Sequence, residues 1–132
     1  MGDLSEFSLS IRMFLRGYRW RVVDPVPWAP LRVPLSRARL ALFSSAGFVM
    51  PGQPVFDEGI RGGDPSFREI PSDADPAALV DTHRSESFDH SGMRSDPNLA
   101  FPLQRARELA LRGRIGSLNA RHWSFMGSIT AP

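Results

Sequence analysis

The chain has 132 residues, 42% of them hydrophobic, which is enough for one domain with a core and too few for two of ordinary size. It contains no cysteine, and this excludes disulfides, thiolate metal sites and a cysteine nucleophile within the chain. All 16 basic residues are arginine, the net charge is only +2, and acids are spread among the arginines, so no nucleic-acid-binding face is expected.

Between Asp3 and Arg16, the residues Leu4, Phe7, Ile11, Phe14 and Leu15 recur at the spacing of one apolar helix face, which predicts a short amphipathic helix. Asp3 with Glu6 makes a candidate capping box, and Gly17 can stop the helix. Arg12, Arg16, Arg19 and Arg21 gather at its far end. That pattern favours a terminal arm packed on its own domain or on a partner subunit over a membrane-surface anchor. Next come Pro25, Pro27, Pro30 and Pro34, which exclude helix and central strand and predict an extended strap, with Trp28 buried beneath it. The expected organisation is therefore a helix and Pro/Trp-rich strap over 1–36 and an α/β domain over 37–132.

After Arg39, Leu40 to Phe43 is a continuous apolar run that stops in Ser44-Ser45-Ala46-Gly47. An unbroken run suits a strand covered on both faces, as in a parallel sheet, and ligands sit beyond the carboxyl ends of such strands. Ser45 and Gly47 are thus candidate substrate-binding positions, although an ordinary loop explains them equally well and no phosphate-binding glycine motif follows. Phe48 to Phe56 reads as a loop, Asp64-Pro65 as a turn and Phe67 to Ile70 as a short alternating strand closed by Pro71. Ala78 to Asp81 predicts a third strand.

That strand runs into Thr82 to Arg94, the segment richest in reactive side chains. His83 and Asp89 are candidates for acid–base work, and Arg84 for meeting a substrate carboxylate. The His83, Asp89 and His90 spacing matches no standard metal motif, so no metal site is expected, and a polar loop held by its own hydrogen bonds is the competing account. Pro102 to Arg112 is the clearest helix, with Leu103, Ala106, Leu109 and Ala110 as its stripe and Gly113 as its stop. Ile115 to Leu118 turns back towards the sheet. In Arg121 to Ile129, His122, Ser124 and Met126 alternate with Trp123 and Phe125, which makes His122 a third catalytic candidate. Together these elements predict an α/β fold: a single small, mainly parallel, Rossmann-like sheet with flanking helices, incomplete at one edge. Ser45, Gly47, His83, Arg84, Asp89 and His122 are expected around one crevice at the strand ends. No apolar stretch is long enough to cross a bilayer and no signal peptide is visible, so the expected compartment is the cytoplasm.

Gly63-Asp64-Pro65-Ser66-Phe67-Arg68-Glu69-Ile70-Pro71, Asp96-Pro97-Asn98-Leu99-Ala100-Phe101-Pro102-Leu103, Gly113-Arg114-Ile115-Gly116 and His122-Trp123-Ser124-Phe125-Met126-Gly127 form a set of blocks along the chain. In these the chain resembles the glycine/sarcosine/betaine/D-proline reductase family, selenoprotein B component. The resemblance implies reductive cleavage of a small amino acid or amine, a thiol or dithiol reductant in place of a bound cofactor, and other reductase subunits or a thioredoxin-like donor as partners. It also implies a selenocysteine or cysteine nucleophile on a later segment. The chain is expected to be truncated before that segment and to be catalytically silent by itself, since serine and histidine form no adduct that dithiols reduce. The alternative is a non-catalytic substrate-binding or subunit-interaction module.

Overall fold

A computed structural model describes residues 5, 7–19, 22–85, 90–127 and 129. The chain divides into two units, 1–31 and 32–132. In the first, α1 (Leu9–Gly17) starts where the Ser8 hydroxyl accepts the Ile11 N–H at 3.5 Å and ends where the Tyr18 N–H bonds the Phe14 carbonyl. The expected start at Asp3 is therefore replaced by Ser8, and the Asp3–Glu6 capping box lies outside the described residues. Trp28 is not buried as expected but 84% exposed. An extended, proline-rich backbone makes no ladder that would hold its side chains against a neighbour.

The second unit carries the strands β1 (Arg39–Leu40), β2 (Phe43–Ser44), β3 (Phe48–Val49), β4 (Phe67–Pro71) and β5 (Val80–Asp81). The helices α2 (His90–Ser95) and α3 (Leu103–Leu111) follow, then β6 (Ser117–Leu118) and β7 (Arg121–Phe125). These make an α/β arrangement of small sheets rather than the expected single, mainly parallel, Rossmann-like one. β1 runs parallel to β6 and β2 parallel to β7, but β4 runs antiparallel to β7 and β3 antiparallel to β5. The longest pairing, Phe67–Pro71 against Arg121–Phe125, is antiparallel and leaves β7 central in the order β2-β7-β4.

The physical reason is that the segment from Arg39 to Ser44 does not form one strand. Leu40 pairs with Leu118 and Phe43 with Trp123, so three steps along the first segment face five along the second. Two extra residues bulge out of the second segment, and the ladder is re-aimed there. Where a main-chain acceptor is lost, His122 substitutes a side chain: its Nδ1 accepts the Leu42 N–H at 3.0 Å. The Leu42 carbonyl then accepts the Trp123 N–H at 2.9 Å, and the parallel ladder resumes.

The principal core joins Phe48 from β3, Ile70 from β4, Leu79, Met93 from α2, and Phe101 with Leu103 at the start of α3. Fully burying a side chain such as Phe101 or Leu103 stabilises the fold by about 1.5–3 kcal/mol. A smaller cluster joins Val49 of β3, Phe56 of the long loop between β3 and β4, and Met126. α3 matches its predicted bounds to one residue at each end, and Gly113 adopts φ 65° just beyond it. Among the described residues no helix is long and apolar enough to cross a membrane.

Candidate functional site

Asp81 ends β5, and three groups converge on its carboxylate. Oδ1 accepts the His83 N–H at 3.1 Å, while Oδ2 meets His90 Nδ1 at 2.6 Å and Arg94 Nε at 3.0 Å. His90 and Arg94 reach it together because they stand four residues apart on α2 and so share a face. The other ring nitrogen of His90, Nε2, lies 2.7 Å from the Ser85 carbonyl oxygen. A neutral imidazole carries one N–H and can donate to only one of these two acceptors. Only the imidazolium donates to both, so the geometry holds His90 as a cation.

His83 is held in the opposite state. Its Nδ1 accepts the Ser85 N–H at 3.0 Å, which leaves the proton of the neutral ring on Nε2. The main chain of Ser85 therefore joins the two rings, its carbonyl facing the cationic one and its amide the neutral one. The ring centroids are 6.2 Å apart. Hydrogen bonding to the Ser85 carbonyl and to Asp81 raises the His90 pKa above its usual value. Burial, then the field of His90, lowers that of His83. Burial pushes Asp81 upward, but the hydrogen bonds from His90, the His83 amide and Arg94 outweigh it and hold the carboxyl below the usual range. The two imidazoles thus have pKa values driven apart, with the Nδ1 lone pair of His83 committed to the Ser85 amide.

Two glycines make room for the His83 ring. Gly47 has φ +66°, and a Cβ there would lie 3.0 Å from His83. A Cβ on Gly127 would lie 2.7 Å from His83 Nε2 and 3.1 Å from the Ser45 carbonyl. The Gly47 carbonyl accepts both the Thr82 amide at 3.2 Å and its hydroxyl at 2.6 Å, which fixes the start of the loop against β3. Ser45, Gly47 and His83 are thus brought together. Arg84 is exposed and donates from Nη1 to the Glu58 carbonyl at 3.3 Å. Asp89 lies outside the described residues.

His122 is placed elsewhere. It stands five residues before Gly127 on the β7 side, about 15 Å along an extended chain. Its side chain is fully buried, edge-on to Phe101 at 6.2 Å, and its Nδ1 is occupied by Leu42. Burial, then Arg107, lowers its pKa, so it is a neutral structural acceptor. His122 Nε2 and Ser124 Oγ, on the same inward face, find no hydrogen-bond partner among the described residues. Sequence reasoning missed Asp81 as the organising carboxylate, and Arg94 beside it. The available signal was an acid closing an apolar strand two residues before a histidine, the arrangement of an Asx turn.

No protein-family model matches the chain, and no solved structure matches it. Over 106 residues, 80% of its length, it is 32% identical to D-proline reductase subunit gamma of Acetoanaerobium sticklandii. The likeness supports the reductase family. The chain spans 42% of the length of that relative, whose name makes it one subunit of an assembly.

Proposed function

We propose that the chain is a component of a D-proline-reductase-like assembly, resembling the selenoprotein B component, and that it supplies acid–base groups rather than the nucleophile. The observation that carries this reading is the 32% identity over 80% of the chain. Reductive cleavage of a carbon–nitrogen bond takes up two electrons and two protons, and a dithiol supplies both as it closes to a disulfide. The leaving amine must be protonated as the bond breaks. The His90 imidazolium, backed by Asp81, is the donor once substrate displaces the Ser85 carbonyl from its Nε2–H, and neutral His83, whose Nδ1 lone pair is taken by the Ser85 N–H, offers an Nε2–H hydrogen bond beside it. Arg84 is the guanidinium for a substrate carboxylate, since its 3.3 Å bond to a carbonyl is weak enough to exchange. Ser45 and Gly47 line the approach. With no cysteine in the chain, the soft nucleophile comes from selenocysteine or cysteine on other sequence, and a thioredoxin-like donor or a further subunit delivers the electrons.

Dithiol-dependent cleavage of D-proline, measured with and without the other reductase subunits, tests this. The chain alone is expected to be silent, and in the assembly His90→Gln is expected to lower turnover by at least about 100-fold. Turnover by the chain alone, or full activity of His90→Gln, would overturn the assignment. The absence of cysteine also favours a second reading, a non-catalytic module for substrate or subunit binding. Full activity of an assembly lacking both histidines, but not of one lacking this chain, would favour it.

A further inference from the structure

On the inward face of the β2-β7-β4 sheet, two polar side chains end without a partner. His122 Nε2 and Ser124 Oγ are fully buried and make no hydrogen bond among the described residues. Bulk solvent does not reach them, and a buried polar group left unpaired is costly. Counting protons defines what each one lacks. Nδ1 of the neutral His122 ring accepts the Leu42 N–H, so the ring proton sits on Nε2 and needs an acceptor. That proton also rules out His122 Nε2 as a base for the Ser124 hydroxyl. Ser124 Oγ has one proton to give and lone pairs to fill. The neighbouring cations are committed elsewhere. Arg68, in register with Ser124, donates to the Pro54, Val55 and Phe67 carbonyls and to Ser66 Oγ. Arg107, whose charge the His122 ring feels, donates to the Ser72 and Ala74 carbonyls. On the other side of Ser124, Ser44 Oγ donates to the Ala100 carbonyl at 2.7 Å and accepts the Ala46 N–H at 3.2 Å, which leaves it one lone pair. Two serines abreast also fill less space than the Ile70 and Phe101 side chains beside His122.

We propose that this face binds one internal water molecule between His122 Nε2 and Ser124 Oγ. The water oxygen accepts both the Nε2–H and the Ser124 O–H, and one water proton goes to the remaining lone pair of Ser44 Oγ. Three such bonds are the usual complement of a buried water. A neutral occupant fits where an ion does not. Two donors repel a cation, and an anion would lie buried with the guanidinium donors of Arg68 and Arg107 already taken. The water also does more than fill space. The bond made by one imidazole nitrogen sets the state of the other. By taking the Nε2 proton, the water fixes the tautomer whose Nδ1 accepts the Leu42 N–H, so it supports the ladder where β2 joins β7.

A high-resolution crystal structure of the full chain is expected to show a water about 2.7–3.2 Å from both His122 Nε2 and Ser124 Oγ. In solution, the His122 Hε2 proton is expected to give a cross-relaxation peak to water with the sign of a bound molecule. Ser124→Ala removes the hydroxyl that would otherwise relay such a peak. The peak should persist there, because His122 and Ser44 still hold the water. Ser124→Val fills the space, so the peak is expected to vanish and exchange of the Leu42 amide to quicken at least about tenfold, with the wild-type circular dichroism kept. Should Ser124→Val fail to fold, the crystal structure and Ser124→Ala decide the matter. A direct bond between His122 and Ser124, no density between them, or a halide in that position would overturn the proposal. So would a peak lost in Ser124→Ala or surviving in Ser124→Val.

Discussion

At His90 the acceptors Asp81 and Ser85 lie 2.6 and 2.7 Å from the two ring nitrogens, and this sets the sign of its pH dependence. Its folded pKa is raised above 6.5, so its stabilisation is complete below that value and is lost as pH rises through the folded pKa. His83 and His122 are lowered from 6.5 and act in the opposite sense. Each stabilises the fold while neutral, and the contribution is lost as pH falls below 6.5 towards the folded pKa. Proton NMR of the three imidazoles should therefore show His90 titrating last as pH is raised. Titration of His90 before or together with the other two would disprove the pairing. Gly127→Ala tests the packing around His83. The added Cβ meets Nε2 at 2.7 Å on one side and a Ser45 main-chain oxygen at 3.1 Å on the other, so the ring must move. A loss of about 1–3 kcal/mol in urea unfolding is expected, with the His83 resonance displaced.

The strand pair from Arg39 to Ser44 depends on one imidazole. His122→Phe preserves the inward bulk but removes the acceptor for the Leu42 N–H, and an unpaired buried amide costs about 1–3 kcal/mol. Calorimetry should show that loss, and exchange of the Leu42 amide should quicken. An unchanged melting temperature would mean that another acceptor takes over. The opening of the same segment relies on Gly116. A Cβ there would lie 2.6 Å from the Arg37 carbonyl carbon and 2.9 Å from the Ala38 oxygen, both main-chain atoms that cannot swing aside. The Gly116 N–H also bonds the Leu35 and Ala38 carbonyls at 3.0 Å. Gly116→Ala should thus separate β1 from β6, at a cost of about 3 kcal/mol or more in chemical denaturation.

Across the larger unit, the loop between β3 and β4 is tied to the sheet through Arg68. Its guanidinium donates to the Pro54 and Val55 carbonyls at 2.7 and 3.0 Å and to Ser66 Oγ at 2.8 Å. It also lies 4.3 Å from the centre of the Phe56 ring and 3.8 Å from Asp64. Asp64 accepts the Asp57 and Ser66 amides at 2.8 Å, and bonding to Ser66 and then Asp57 lowers its pKa to about 2. Its stabilisation is complete above 3.8 and is lost as pH falls towards about 2. Truncating Arg68 leaves Asp64 and the Pro54, Val55 and Phe67 carbonyls without their cation, so Arg68→Ala should destabilise by about 3–5 kcal/mol in urea unfolding. A loss below about 1 kcal/mol would show that the loop holds itself.

Local rules in the sequence were sufficient for α3, whose stripe of Leu103 and Ala106 and stop at Gly113 involve only neighbours within a turn or two. The alternation of β4 and β7 was legible for the same reason, because a period of two states which side chains share a face. It does not state which face is covered, nor the direction in which strands meet. The bond from Leu42 to His122 spans 80 positions, and the two-residue offset that requires it is visible only once both segments lie side by side. The sequence alone therefore left His122 as a catalytic candidate, and tertiary pairing made it part of the ladder. Asp81, His90 and Arg94 were within 13 positions of one another, yet Asp81 read as a strand end and the other two as a polar loop, since α2 has Gly92 in its middle and only Met93 buried. Their convergence depends on α2 packing beside β5, a contact that no spacing rule encodes.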